Sequence, residues 1–336
     1  MSSIKDVART VGVSTATVSR ALRGLPRVSN STRDRVLQAA AELDYVASPS
    51  AAGLAGGRTR AVGVVVPFVS RWFFASVVQG AEAPLREAGY DLLLYNLGGD
   101  VESRDRVFAS HLLRRRVDAV LVLSLTPSTQ EIAELVKLKR PVALVGATVP
   151  GWSSVRIDDI DAACTAMRHL IALGHRRIAY IGGPPAASHS QARLHGYRAA
   201  MEAEGIHIPE GYVRAGQVLY QDGIAGAAAL LDLPEPPTAI FAGSDETAVG
   251  VIESARTRGL RVPEDLSVVG FDDTRLARFV SPPLTTVRQP LLEMGGVALR
   301  TALRLAAGEK LDSHHVELAT QLVVRHSTAH RPDEHS

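Results

Sequence analysis

Apolar residues near the N-terminus recur at the spacing of helices with one buried side. Ile4, Val7, Ala8 and Val11 stand at i, i+3, i+4 and i+7, and Gly12 breaks the stripe. Ser14 is placed to cap a second helix by accepting a backbone N–H, and Val18, Ala21 and Leu22 give that helix its own inward edge. "GLPRVSN" is rich in turn formers, Ser29 can cap a third helix, and Val36, Ala40 and Leu43 supply its buried face. Three short helices with a glycine turn between the first two predict a helix-turn-helix head, with Thr15, Ala16, Ser19 and Arg20 facing outward. A three-helix bundle used only for packing is the plain alternative.

From Ala61 the pattern changes to apolar runs separated by amphipathic stretches. "AVGVVVP", "YDLLLYNL", "DAVLVLS", "PVALVGA", "RRIAYIGG", "TAIFAGS" and "LSVVGFDD" read as strands buried on both faces, with segments such as "CTAMRHLIALGH" between them. The alternation predicts an α/β body of parallel sheets flanked by helices. Seven or more strands fit two doubly wound halves with a cleft between them better than one sheet.

Composition adds an asymmetry. The net charge is +2, yet residues 1–60 hold nine Lys and Arg against four Asp and Glu, so the remainder carries −3. A basic head on a mildly acidic body points to a polyanion as the partner of the head. Small outward residues would let a helix N-terminus enter a major groove about 12 Å wide, where an arginine pairs bidentately with guanine. Ser14, Thr17, Ser19 and Ser29 are short enough to hold phosphates there. Cys164 is the only cysteine, which excludes an internal disulfide and a cysteine-based zinc site. With no signal-peptide run and no apolar stretch of membrane length, the expected location is cytoplasmic, with no membrane partner.

Enzyme chemistry finds no support. The first body strand is followed by "PFVSRWFF" with no glycine, and "AGLAGG" precedes that strand, so neither can form a dinucleotide turn. Phosphate-loop and nucleophile-elbow motifs are absent. The histidines, including His314 and His315, lack metal-ligand spacing. No cofactor and no metal are expected.

The ordered set "IKDVARTVGVSTATVSRALRG", "RVSNSTRDRVLQAAAELDY", "RTRAVGVVVP", "HLIALGHRRIAYIGGP", "RLHGYRAAMEAEGI", "AGSDETAVGVIESARTRGLRVPEDLSVVGFDD" and "PPLTTVRQP" resembles the lac repressor and galactose repressor family of bacterial transcription regulators over nearly the whole chain. The resemblance implies a homodimer whose heads read a pseudo-palindromic double-stranded operator. It also implies a periplasmic-binding-protein-like body that takes a small-molecule effector in its cleft. The implied organisation is a head at 1–47, a hinge at 48–60 and a body at 61–330. The body's N-subdomain would comprise about 61–159 and 290–319, its C-subdomain about 160–289 and 320–330. Thr15, Ala16 and Arg20 stand where the family reads base edges, and Thr17, Ser19 and Ser29 where it contacts phosphates. Leu54 occupies the place of the hinge leucine that wedges into the minor groove, among Ala52, Gly53 and Ala55 in place of the usual polar residues.

In the cleft, Phe74, Arg193, Tyr220 and Asp272 match effector-touching positions. Asp272 could instead cap the following turn, Tyr220 could be core, and Asp245 is expected to cap the helix it opens. Departures from the family pattern put Phe68, Arg71 and Trp72 at its variable points and Gly146-Ala147 where an Asp-Arg pair often stands, which predicts a more aromatic, less hydroxyl-seeking pocket. The C-terminal "VVRHSTAHRPDEHS" lacks a leucine heptad, so a dimer and not a tetramer is expected. A solute-binding protein of the same body fold is the rival reading, opposed by the basic head and the missing signal peptide.

Overall fold

The computed structural model describes residues 2–22, 24–45, 58–99, 101–109, 113 and 116–331. The head folds as α1 (Ile4–Val11), α2 (Thr15–Leu22) and α3 (Asn30–Glu42) around Val7, Val11, Val18, Ala21, Val36 and Ala40. Each break has a local cause. Gly12 takes the left-handed conformation at φ 73° and its N–H donates to the Ala8 carbonyl, ending α1. Ser14 Oγ accepts from the Thr17 N–H at 3.1 Å, and Ser29 Oγ from the Thr32 N–H at 3.2 Å, so both serines cap the helices they precede. A Cβ added at Gly12 would meet nothing within 4 Å, so the cost of Gly12→Ala is the backbone strain alone. We expect about 1 kcal/mol, read as roughly fivefold faster amide exchange over residues 4–22 of the full chain. Unchanged exchange would show that the turn does not need glycine.

The body begins with β1 (Ala61–Val66), α4 (Trp72–Ala88), β2 (Asp91–Asn96), α5 (Val101–Ala109), β3 (Ala119–Leu123), α6 (Thr129–Lys137), β4 (Val142–Val145) and β5 (Ser153–Arg156). It continues with α7 (Asp159–Ala172), β6 (Ile178–Gly182), α8 (Ser188–Ala203), β7 (Val213–Ala215), α9 (Tyr220–Leu231), β8 (Ala239–Ala242), α10 (Asp245–Thr257), β9 (Ser267–Asp272), α11 (Leu276–Phe279) and β10 (Thr285–Arg288). The last elements are α12 (Leu291–Ala306), β11 (His315–Glu317) and β12 (Gln321–Val323). They form two six-stranded sheets, ordered β11-β5-β4-β3-β1-β2 and β12-β10-β9-β8-β6-β7. All pairings are parallel except β10 with β12. The chain therefore passes from one lobe to the other three times, after β5, between β10 and α12, and between β11 and β12.

In each sheet the strand order reverses beside the first strand of the lobe, β1 in one and β6 in the other. Such a reversal opens a crevice at the carboxyl ends of the strands. The apolar runs are buried throughout in β1, β3, β4, β6, β8 and β9. β2 departs from the expected burial on both faces: it is an edge strand, and Asp91, Leu94 and Asn96 are exposed. α4 and α12 pack backbone to backbone, since a Cβ on Gly295 would fall 1.9 Å from the Val77 carbonyl oxygen.

Where the linker joins the body, the carboxylate of Asp118 accepts from two successive backbone N–H groups, Thr59 and Arg60, each at 2.9 Å. Asp118 is 2% exposed, with Arg140 at 3.9 Å beyond it. No helix among the described residues is long and apolar enough to cross a membrane.

Candidate functional site

The outward face of α2 carries Thr15, Ala16 and Arg20, all exposed, with Ser19 and Thr17 half-buried beside them. The Arg20 guanidinium has no partner among the described residues. The flanking serines serve twice, because Ser14 Oγ lies 2.9 Å from Thr17 Oγ1, and Ser29 Oγ donates to Thr32 Oγ1 at 2.8 Å while capping α3. Their hydroxyls thus mark helix N-termini, where free N–H groups and the helix dipole favour an anion. Two arginines of the head are structural staples: Arg33 donates to the Leu25 carbonyl at 2.8 Å and Arg35 to the Val11 carbonyl at 2.7 Å. Leu54, and with it the hinge, lies outside the described residues.

The body holds a cavity of about 490 Å³ between its lobes, lined from the strand ends of both sheets. Phe74, Arg193 and Asp272 line it together, and so do Phe68, Phe73 and Arg71. Phe73 and Phe74 meet edge to face, ring centroids 5.1 Å apart, and make one apolar wall. Tyr220 is not among the lining residues. It opens α9 and is 38% exposed. Trp72, 40% exposed, stands outside the cavity as well.

Arg193 is buried and fixed from three directions. Its Nε donates to Asp159 Oδ1 and its Nη1 to the Gly243 carbonyl, both at 2.8 Å, while its plane lies 3.6 Å from the Phe271 ring centroid. Asp272, with φ at 114°, ends β9 and accepts from Gln289 Nε2 at 2.7 Å. Burial raises its carboxyl to about 7 against the opposing pull of Arg193. Behind it, Asp245 is fully buried and accepts from the Thr274 N–H at 2.7 Å, Thr274 Oγ1 at 3.0 Å and Thr286 Oγ1 at 2.6 Å. Desolvation, then the charge of Asp272, raises its pKa well above the ordinary carboxylate value. It does not cap α10: Ser244 does, accepting from the Thr247 N–H at 3.1 Å, which frees Asp245 to tie the β9 turn to β10.

Several lining groups make contacts that the sequence did not signal. Arg71 reaches across from the first lobe, donating Nη2 to the Gln217 carbonyl of the second at 2.8 Å, its guanidinium carbon 4.6 Å from the Phe68 ring centroid. Glu246 lies 3.9 Å from its Nε, and burial raises that carboxyl. Arg104 forks onto Glu131, one of the two bonds being 2.7 Å. His189 is pushed down to about 3 by burial and by the Arg193 charge, so it is neutral. Among the described residues no three His, Cys, Asp or Glu side chains stand together as metal ligands would.

Comparison with known proteins agrees with this layout. Residues 3–48 match the family model described as "Bacterial regulatory proteins, lacI family", and residues 167–328 match the "Periplasmic binding protein-like domain". Catabolite control protein A of Priestia megaterium is 37% identical over 328 residues, 97% of this chain and 98% of that protein. The solved complex of the transcriptional regulator CelR with cellobiose superposes with a TM-score of 0.74 at 34% identity, covering 97% of this chain and all of that one. The lac repressor dimer bound to operator and an anti-inducer superposes with a TM-score of 0.85 at 27% identity, over 98% and 99% of the two chains.

Proposed function

Because the chain belongs to the lacI family of bacterial regulatory proteins, we propose that it is a DNA-binding transcriptional repressor controlled by a small polar effector in the body cleft. One observation carries the reading. A single chain joins a helix-turn-helix with an unpartnered arginine on its outer face to a two-lobed body whose cavity gathers Phe74, Arg193 and Asp272. The head, residues 1–47, presents Thr15, Ala16 and Arg20 to base edges, while Ser14, Thr17, Ser19 and Ser29 hold the backbone on either side. Leu54 in the 48–60 hinge wedges the central minor-groove step. Two copies paired through their bodies match the two halves of the operator, and the protein acts in the cytoplasm, where the chromosome lies.

In the cleft, a hydroxyl of the effector donates to Asp272, Arg193 donates to an acceptor beside it, and the Phe73–Phe74 wall covers an apolar face. Cellobiose in CelR is a ligand of this polar type. Binding favours one relative orientation of the lobes, and the three chain crossings carry that change toward the head as a population shift. The site binds and does not catalyse: Asp245 is consumed by Thr274 and Thr286, and His189 has no hydrogen-bond partner among the described residues.

Footprinting of the purified full chain on the DNA upstream of its own coding region tests the reading. The expected result is protection of one inverted repeat, with competition by random DNA at least a hundredfold weaker. Equal affinity for random DNA would overturn it.

A further inference from the structure

The cavity occupies the carboxyl ends of the first lobe's strands, since Pro67 and Phe68 follow β1, Ser124 follows β3 and Gly146 follows β4. The amino ends of the same strands form the opposite pole of the lobe, and the linker from the head enters there. Asp118, buried just ahead of β3, gathers that pole: it accepts from the Thr59 and Arg60 N–H groups, and the Arg140 guanidinium ahead of β4 lies 3.9 Å away. Its charge is therefore answered inside the lobe. Around it Arg58, Arg60 and Lys139 are exposed, and no hydrogen bond or ion pair holds their side chains to the described residues. Two acids share the pole, Asp91 at the start of β2 and Glu87 at the end of α4, both toward the β2 edge of the sheet and neither paired with these cations. The side on β1, β3 and β4 is left basic.

Two of the three cations also sit on backbone that resists them. Arg60 has φ 53° and Lys139 φ 51°, left-handed conformations that glycine adopts freely and a residue with a Cβ does not. Strain of this kind asks for a use.

We propose that this pole is a second DNA contact, in which Arg58, Arg60 and Lys139 bind the phosphates bordering the operator's central minor groove. The inference rests on the operator reading above, which gives the DNA to the head and hinge alone. With Leu54 seated in that groove, Arg58 follows four residues later, and four extended residues span at most about 14 Å. The minor groove is only about 6 Å wide and is walled by both phosphate backbones. The pole is thus held over a double row of anions. Because Asp118 fixes Thr59 and Arg60 to the lobe through their main chain, the lobe cannot swing away from the DNA while the hinge stays inserted. Exposed arginine and lysine side chains at that distance supply phosphate contacts that carry no sequence information, and so add affinity without changing which operator is chosen.

Salt dependence counts such contacts, because the logarithm of affinity falls against the logarithm of salt concentration by about 0.9 per phosphate neutralised. The full-length protein is titrated, across a tenfold range of KCl, onto a duplex carrying the inverted repeat upstream of its own coding region. Arg60→Gly with Lys139→Gly removes four cations from a dimer, and the left-handed backbone accepts both glycines, so Tm is expected to hold while the slope drops by about 3 to 4. Binding at the lowest salt is expected to weaken at least tenfold. Arg60→Lys with Lys139→Arg should keep the wild-type slope, and so should Arg258→Ala with Arg261→Ala, which removes as much charge ahead of β9 at the outer pole of the other lobe. On a duplex with methylphosphonates at the phosphates bordering the central step, the affinities of wild type and glycine variant should converge. Should the glycine pair lower Tm, Arg58→Gln decides alone, with an expected drop in slope of about 2. An unchanged slope in the glycine variant and in Arg58→Gln, or an equal drop in the Arg258 and Arg261 variant, overturns the proposal. A wild type that protects no inverted repeat removes the operator reading and this contact with it, an outcome distinct from a wild type that binds with a slope its variants share.

Discussion

Replacement of Arg193 by alanine should cost the body about 3–5 kcal/mol and abolish the effector's influence on operator binding. The size follows from what the guanidinium leaves behind. The Arg193 side chain is 9% exposed and that of its partner Asp159 13%, so the surviving carboxylate stays buried without a counterion. The Gly243 carbonyl loses its donor as well, and the ring of Phe271 loses the cation lying on it. Denaturant unfolding of the full chain gives the first number, and operator anisotropy with and without effector gives the second. Arg193→Lys separates the roles: it restores charge opposite Asp159 but cannot serve Asp159 and Gly243 through one planar fork, so most stability returns without the response. An alanine variant that loses under 1 kcal/mol and responds normally would remove Arg193 from both roles.

Arg20→Ala is expected to weaken operator binding by about 1–3 kcal/mol, roughly five- to 150-fold, while affinity for random DNA changes little. No hydrogen bond or ion pair holds the Arg20 side chain to the described residues, so stability should be untouched and the whole effect should appear in recognition. The neighbouring arginines offer an internal control, because Arg33 and Arg35 each donate to a backbone carbonyl. Their truncation should lower the head's stability and reduce binding to all DNA together. Equal losses for Arg20→Ala on operator and random sequence would make it a phosphate contact, and a fall in Tm would make it a packing residue.

The head was legible because its physics is local. Ile4, Val7, Ala8 and Val11 repeat on one helical face, and Gly12, Ser14 and Ser29 sit where a turn or a cap needs them. The long apolar strands were equally plain. β5, β7, β10, β11 and β12 were not, since each has only three or four residues and takes its strand character from a neighbour's hydrogen bonds. β2 was misjudged because "DLLLYN" looks doubly buried until its place at the sheet edge is known.

In the cleft, Phe74, Arg193 and Asp272 of the expected set line the cavity and Tyr220 does not, a difference that depends on how the helices pack and not on any local pattern. Asp245 opens a helix in sequence but is drawn into the core by two threonines about 30 and 40 residues away. Arg71 stood out in sequence only as a departure from the family pattern; its bond across the cleft did not, since the partner carbonyl is 146 positions distant and only the meeting of the lobes brings them together.

The clasp at Asp118 bears on how such proteins can be recombined. Its carboxylate grips the chain by the main-chain N–H groups of Thr59 and Arg60, so the grip is indifferent to which side chains precede it. A foreign recognition module spliced in ahead of residue 58 would inherit the same anchorage, whereas a junction after residue 60 would exchange the anchored segment for one never fitted to this body. The natural seam for building a chimera that answers to this body's ligand on another operator therefore lies just upstream of Arg58.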